Sequence, residues 1–191
     1  METSSPSYAD NAFAVTESDG QLAAVGECPK PSRPARLRQA LLGPLANIYG
    51  VSNKVLAMAL AELLLSGDAK RPAWIEAGTV MIAIDTLVHN FLHRTGILRD
   101  LAAEHAYGSR CYAPNGCAPI IERIANKIDA RRFNPAYPAV FPRFVQHAIW
   151  RFCAQTSFNR CNGNRIDDRA ACEQLDCPVF TRRARVPMKP A

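Results

Sequence analysis

From Ala35 to the region of Cys153, apolar residues recur at intervals that suit helices rather than strands. Leu37, Ala40, Leu41 and Leu45 fall three or four apart, the mark of a helix with one buried face. The stretch Ile48-Tyr49-Gly50-Val51-Ser52-Asn53 breaks that pattern. A strongly apolar helix is predicted next, over Lys54–Ser66, with Gly67 as its C-cap. Residues 67–77 read as a polar connector with a short helix around Trp74. The run Thr79–Ile84 is a buried strand or a buried helix end, and periodicity does not choose between them. Asp85 or Thr86 is a suitable N-cap for a helix over Leu87–His93, which Thr95-Gly96-Ile97-Leu98 ends. Residues 106–118 read as loop, Pro119–Arg132 as an amphipathic helix, Pro135–Pro142 as a proline-broken connection, and Phe144–Phe152 as another helix. Little in this pattern suggests a sheet, and the class predicted is all-α.

The chain divides by composition into three parts. Residues 1–34 lack sustained periodicity and end in a proline-rich run, which predicts a disordered tail. Residues 35–181 form one domain, and the basic stretch 182–191 is expected to fray. No internal repeat is evident. The 191 residues are 48% hydrophobic, enough for a sizeable core in one domain. Charge is uneven: residues 1–34 carry −3 of a formal total of +6, which leaves +9 on the body. A basic body suits a polyanion, because each neutralised phosphate releases condensed counterions. The acidic, polar start does not read as a signal peptide. The longest apolar stretch, Val55–Leu65, is too short for a bilayer core of about 30 Å. A soluble, cytoplasmic protein of a reducing compartment is expected, and its seven cysteines then raise the question of metals rather than disulfides.

Two stretches carry the chemistry. The first is Ile48-Tyr49-Gly50-Val51-Ser52-Asn53-Lys54 with its apolar helix. The second is Ile82-Ala83-Ile84-Asp85-Thr86-Leu87-Val88, followed by Phe91-Leu92-His93-Arg94-Thr95-Gly96-Ile97-Leu98. In this order they resemble the helix-hairpin-helix superfamily of DNA glycosylases, the group of endonuclease III and 8-oxoguanine glycosylase. In that superfamily a Gly-apolar-Gly hairpin precedes a lysine, and an apolar run later ends in Asp-Thr, beside a helix that closes in an Arg-x-Gly-like pattern. Gly50, Val51, Lys54, Asp85, Thr86, Val88, Arg94 and Gly96 fall on those positions. The likeness covers about residues 36–100 and, more weakly, 143–153.

The resemblance implies a base-excision-repair glycosylase with AP-lyase activity on double-stranded DNA, in a nucleoid-associated protein. Lys54 is then the nucleophile and Asp85 the electrostatic stabiliser or base, while Gly50, Val51, Ser52 and Asn53 meet the DNA backbone. The chemistry agrees with those roles. A hairpin glycine lets backbone amides approach a phosphate without reading sequence. At a helix start the macrodipole disfavours an ammonium, which favours a nucleophilic amine at Lys54. A carboxylate at a helix N-terminus stays ionised and stabilises a cationic sugar. The target base must first leave the stack. The chain departs from the superfamily in several places. Ser52 replaces the second hairpin glycine, Tyr49 stands where proline is common, and Leu87 where histidine often follows Asp-Thr. The interval from Lys54 to Asp85 is lengthened, and the helices that normally precede the hairpin are reduced to Ala35–Ile48. The domain is therefore expected to be N-terminally abbreviated, with a partner chain as one possible source of the missing helices. A non-catalytic hairpin DNA-binding remnant and a small metal-stabilised structural protein are the rival readings.

Cys153, Cys161, Cys172 and Cys177 lie in one C-terminal segment, where many endonuclease III-like proteins hold an iron–sulfur cluster. Their C-x7-C-x10-C-x4-C spacing differs from the superfamily's, yet four thiolates are a ligand set for an iron–sulfur cluster or for zinc. Cys111 and Cys117, with only two ligands in view, read as structural loop cysteines. His89 and His93 have metal-ligand spacing but no acidic third ligand nearby, so packing or DNA-facing roles are expected of them. Arg131-Arg132 and Arg182-Arg183-Arg185 read as solvated charge first and as phosphate contacts second, and Trp150 reads as core.

Overall fold

The structure is a computed structural model, and it describes residues 33–67, 70–154, 169–173, 175, 180–182 and 184–189. Among these residues there is no strand, in line with the all-α expectation. Seven α-helices run through the described residues in chain order: α1 Arg33–Leu45, α2 Asn53–Leu65, α3 Pro72–Thr79, α4 Thr86–Arg94, α5 Ile97–Asp100, α6 Cys117–Ala125 and α7 Pro142–Cys153. Short 3-10 turns lie at Ser109–Tyr112, Ala130–Arg132 and Phe180–Arg182. None of these helices is long and apolar enough to cross a membrane.

Two apolar clusters hold the helices together. One gathers Ala61, Leu64, Ala77 and Met81 under Leu37, Leu41 and Leu42 of α1. The other is built from Ile82, Ile84, Val88, Leu92, Leu98, Ile120 and Ile121, with Ile149 and Trp150 of α7 packed on it. Between them runs the segment whose conformation the pattern left open. It is neither strand nor helix: α3 stops at Thr79, the Met81 and Ile82 N–H groups donate back to the Gly78 and Val80 carbonyls at 3.2 and 2.9 Å, and the chain then runs without a ladder partner to an extended Asp85. Ile82 and Ile84 enter one cluster while Met81 enters the other. A buried backbone without a ladder needs other partners. The Ile84 N–H donates to the Tyr112 hydroxyl at 2.9 Å, and the Tyr107 hydroxyl donates to the Ile84 carbonyl at 3.5 Å. Burial pushes the Tyr112 phenol up to about 12, which keeps its proton on.

Two boundaries differ from expectation. α6 starts earlier than Pro119 and ends at Ala125 rather than Arg132. The Asn126 side chain donates to the Glu122 carbonyl at 2.9 Å and Lys127 N–H to Ile124 at 2.9 Å, so the last turn tightens and stops. The stretch expected to fray is tied down at 184–186. Ala184 N–H donates to the Thr95 carbonyl at 3.2 Å and Val186 N–H to the Arg94 carbonyl at 3.0 Å. Gly96, with φ +83°, lies against the Ala184 methyl, where a Cβ would come within 2.7 Å of it. The buried Arg94 guanidinium reaches the Ala170 carbonyl at 3.3 Å. On the other side of the domain, Arg38 of α1 pairs with Glu122 of α6 and so ties the first helix to the sixth.

Candidate functional site

Lys54 and Asp85 line the same cleft, a cavity of about 270 Å³. Three elements form its walls, each through its own periodicity. α2 supplies Lys54, Met58 and Glu62, four residues apart and hence on one stripe. The opposite stripe of α2, with Leu56, Ala57, Ala61 and Leu64, is buried. The extended segment supplies Ala83 and Asp85, two apart and therefore on one side. α7 supplies Arg143, Gln146, His147 and Trp150 at helical spacing. Trp150 thus packs on the core, as expected, and also borders the cleft.

Local capping fixes both sequence-predicted residues. Ser52 is the N-cap of α2 and accepts from the Val55 N–H at 3.4 Å, which puts Lys54 in the first turn. Asp85 is the N-cap of α4, and its Oδ1 accepts from the Val88 N–H at 2.9 Å. The remaining cleft charges are mixed. Arg143 donates to Gln146 and lies 3.7 Å from Glu62. Burial lowers the Arg143 guanidinium from its ordinary value, with Glu62 opposing. His147 stacks on Trp150 with ring centroids 5.7 Å apart. Burial, then Arg143 and Arg151, hold its imidazole below the usual histidine range.

The turn between α1 and α2 holds the other predicted residues. Gly50 adopts φ +81° with open space around its missing side chain. Val51 N–H donates to the Ile48 carbonyl at 3.2 Å, and Ser52 and Asn53 are exposed at the start of α2. Tyr49 is fully exposed at the tip, and Ile48, Val55 and Met58 are exposed around it.

A second constellation was not anticipated as such. His89, His105, Cys111 and Cys117 bring one ligand atom each to a common point, all four atoms within 4.8 Å of one another, and the group could hold a metal ion. His89 Nδ1 is 3.4 Å from Cys117 Sγ and 3.6 Å from Cys111 Sγ, and His105 Nε2 is 3.5 Å from Cys117 Sγ. Cys111 and Cys117 are therefore more than loop cysteines, and the partner of His89 in this group is His105 rather than His93. The rings of His89 and His93 lie 6.3 Å apart, but burial first, and then His89, lowers the His93 imidazole. The Cys117 side chain, then His89, the Gly108 backbone and His105, lower the Cys111 thiol far below its ordinary value, while the hydrogen bond to Cys111 and burial raise that of Cys117. The sequence signal was present in four chemistry-bearing residues between 89 and 117, but their spacing follows no compact motif. Of the C-terminal cysteines, Cys153 and Cys172 are buried, and Cys161 and Cys177 lie outside the described residues.

Comparison with protein-family models, with curated proteins and with solved structures finds no match to this chain in any of the three.

Proposed function

We propose that this chain is a base-excision DNA glycosylase with AP-lyase activity. The observation that carries the reading is the meeting of Lys54 and Asp85, residues 31 positions apart in sequence, in one cleft. Its volume of about 270 Å³ is below the roughly 300–1,000 Å³ of drug-sized pockets, a scale suited to one extruded nucleobase. Further support comes from the exposed turn at Gly50 and from the +6 net charge, which suit contact with a phosphate backbone. In this reading the deprotonated Lys54 amine attacks C1′ and the base departs with the electron pair of the glycosidic bond. Asp85 takes the proton released by the attacking nitrogen and stabilises positive charge on the sugar. Opening of the sugar ring gives a Schiff base, and β-elimination then breaks the 3′ C–O bond of the strand. Iron–sulfur or zinc ligation by Cys153, Cys161, Cys172 and Cys177 belongs to the same reading.

Borohydride reduction in the presence of a duplex with one abasic site tests it. The expected result is a covalent protein–DNA band that disappears in Lys54→Ala, while low-salt binding in a gel shift persists. Binding without a band in the parent chain, or a band retained in Lys54→Ala, would refute the assignment. The first outcome leaves a hairpin DNA binder without chemistry.

A further inference from the structure

We propose that His89, His105, Cys111 and Cys117 hold one structural Zn²⁺, which clamps the 103–117 loop to α4 and fixes the segment that carries Asp85. The inference stands apart from the glycosylase reading, since it rests on ligand geometry alone.

Zinc–sulfur bonds of about 2.3 Å and zinc–nitrogen bonds of about 2.0–2.1 Å, at the tetrahedral angle, put sulfur and nitrogen about 3.5 Å apart. Three of the four sulfur–nitrogen separations here are 3.4, 3.5 and 3.6 Å, and all four ligand atoms lie within 4.8 Å of one another. A two-iron cluster would place the thiolates on one iron and the imidazoles on the other, with bridging sulfides between, and so hold the two pairs apart. These close sulfur–nitrogen approaches therefore point to a single ion. Two thiolates with two imidazoles form a closed tetrahedral set of the kind that serves structure, with no position left for substrate.

The outer shell agrees. His105 Nδ1 lies 2.6 Å from the Ala103 carbonyl, so its N–H donates there and Nε2 faces the sulfurs with its lone pair. Such a backbone partner is the usual means of fixing a metal-binding imidazole. Cys111 and Cys117 are fully buried and His89 is 1% exposed, so the ion would be shielded from solvent competition.

The clamp reaches the cleft through two tyrosines. Tyr107 and Tyr112 belong to the clamped loop, and their hydroxyls serve the N–H and carbonyl of Ile84, the residue before Asp85. The Tyr107 ring also lies 5.8 Å from that of His89.

Metal analysis of the full chain, purified under reducing conditions without chelator, is expected to find zinc, one equivalent of which Cys117→Ser or His105→Ala removes. Zinc-edge X-ray absorption on the unmodified chain, which needs no variant, should count two sulfur and two nitrogen ligands. Cobalt(II) should bind with the strong visible bands of a tetrahedral site, and Cys117→Ser should weaken it beyond the roughly 10–100-fold loss typical of an outer-shell change. Hydrogen exchange at the Ile84 amide should accelerate when a chelator strips the metal. No bound metal, four sulfur ligands, or metal retained in Cys117→Ser but lost in Cys161→Ser would overturn the site. Unchanged Ile84 exchange on stripping would overturn the positioning role.

Discussion

Replacing Gly116 with alanine would place a methyl group on the Arg110 carbonyl oxygen, with the carbonyl carbon and oxygen of Cys111 each 2.6 Å away. The backbone of Gly116 has φ −82°, which any residue adopts, so the whole effect is steric. The obstructing atoms are backbone, and no rotamer change relieves them. Overpacking of this kind costs about 1–3 kcal/mol, and the upper end applies where backbone must move. At roughly 2–4 °C per kcal/mol for a domain of this size, Tm should fall by about 6–12 °C. Recovering an ordinary separation of 3.4 Å from 2.6 Å moves the Cys111 backbone by 0.8 Å. Metal–ligand distances tolerate only about 0.2 Å, so cobalt(II) affinity should fall along with stability. Gly50→Ala is the matched comparison. Its φ of +81° makes alanine strained there, but open space surrounds it. That variant should lose about 1–2 kcal/mol and leave cobalt binding unchanged. Thermal melts followed by circular dichroism, paired with cobalt titrations of both variants, give the reading. A Gly116→Ala chain that melts beside the parent and binds cobalt as tightly would refute the close approach of residues 110–111 to residue 116.

Other outcomes follow from the cleft. Asp85→Ala removes the cap on Val88 and should lower unfolding free energy by about 0.5–2 kcal/mol in a urea titration. Asp85→Asn keeps the cap and should lose no more than about 0.3–1 kcal/mol from the helix dipole, yet suppress borohydride trapping strongly. Its retention of full trapping would remove Asp85 from the chemistry. His147 is shifted downward by burial first, so its neutral form is the one the fold favours. Its contribution to stability is therefore present above the unfolded value near 6.5 and is lost as pH falls through the lower folded value. Urea midpoints should decline on acidification across that range and level off below it, less steeply in His147→Gln, and a slope unchanged by the substitution would contradict the shift.

Helix positions were readable where burial is one-sided. The predicted Lys54–Ser66 helix differs from α2 at Asn53–Leu65 by a single residue at each end, and Leu87–His93 lies within α4. The capped helix starts that carry Lys54 and Asp85 were readable from local sequence. Their shared cleft depends on α7, which no local pattern attaches to them. The segment 81–85 was ambiguous because it has no neighbouring strand: Met81 and Ile82 bond back to the turn at the end of α3, and Ile84 bonds to two tyrosine hydroxyls. The His/Cys group stayed hidden for a related reason. His105 lies outside the helices, and the i, i+4 rule drew attention to His93 instead. Similarly, the pairing of Ala184 and Val186 with the end of α4 depends on backbone groups, which leave no trace in composition.

That pairing also sets an order of events during synthesis. Ala184 follows Gly96 by 88 residues, and the His89–Cys117 group is complete 67 residues before Ala184 is added. At about 5–20 residues per second, a nascent chain holds α4 for roughly 4–18 s before the segment that covers its end exists. During that interval Gly96 and the carbonyls of Arg94 and Thr95 face whatever the cell supplies. The stretch that covers the end of α4 is thus made well after α4 itself.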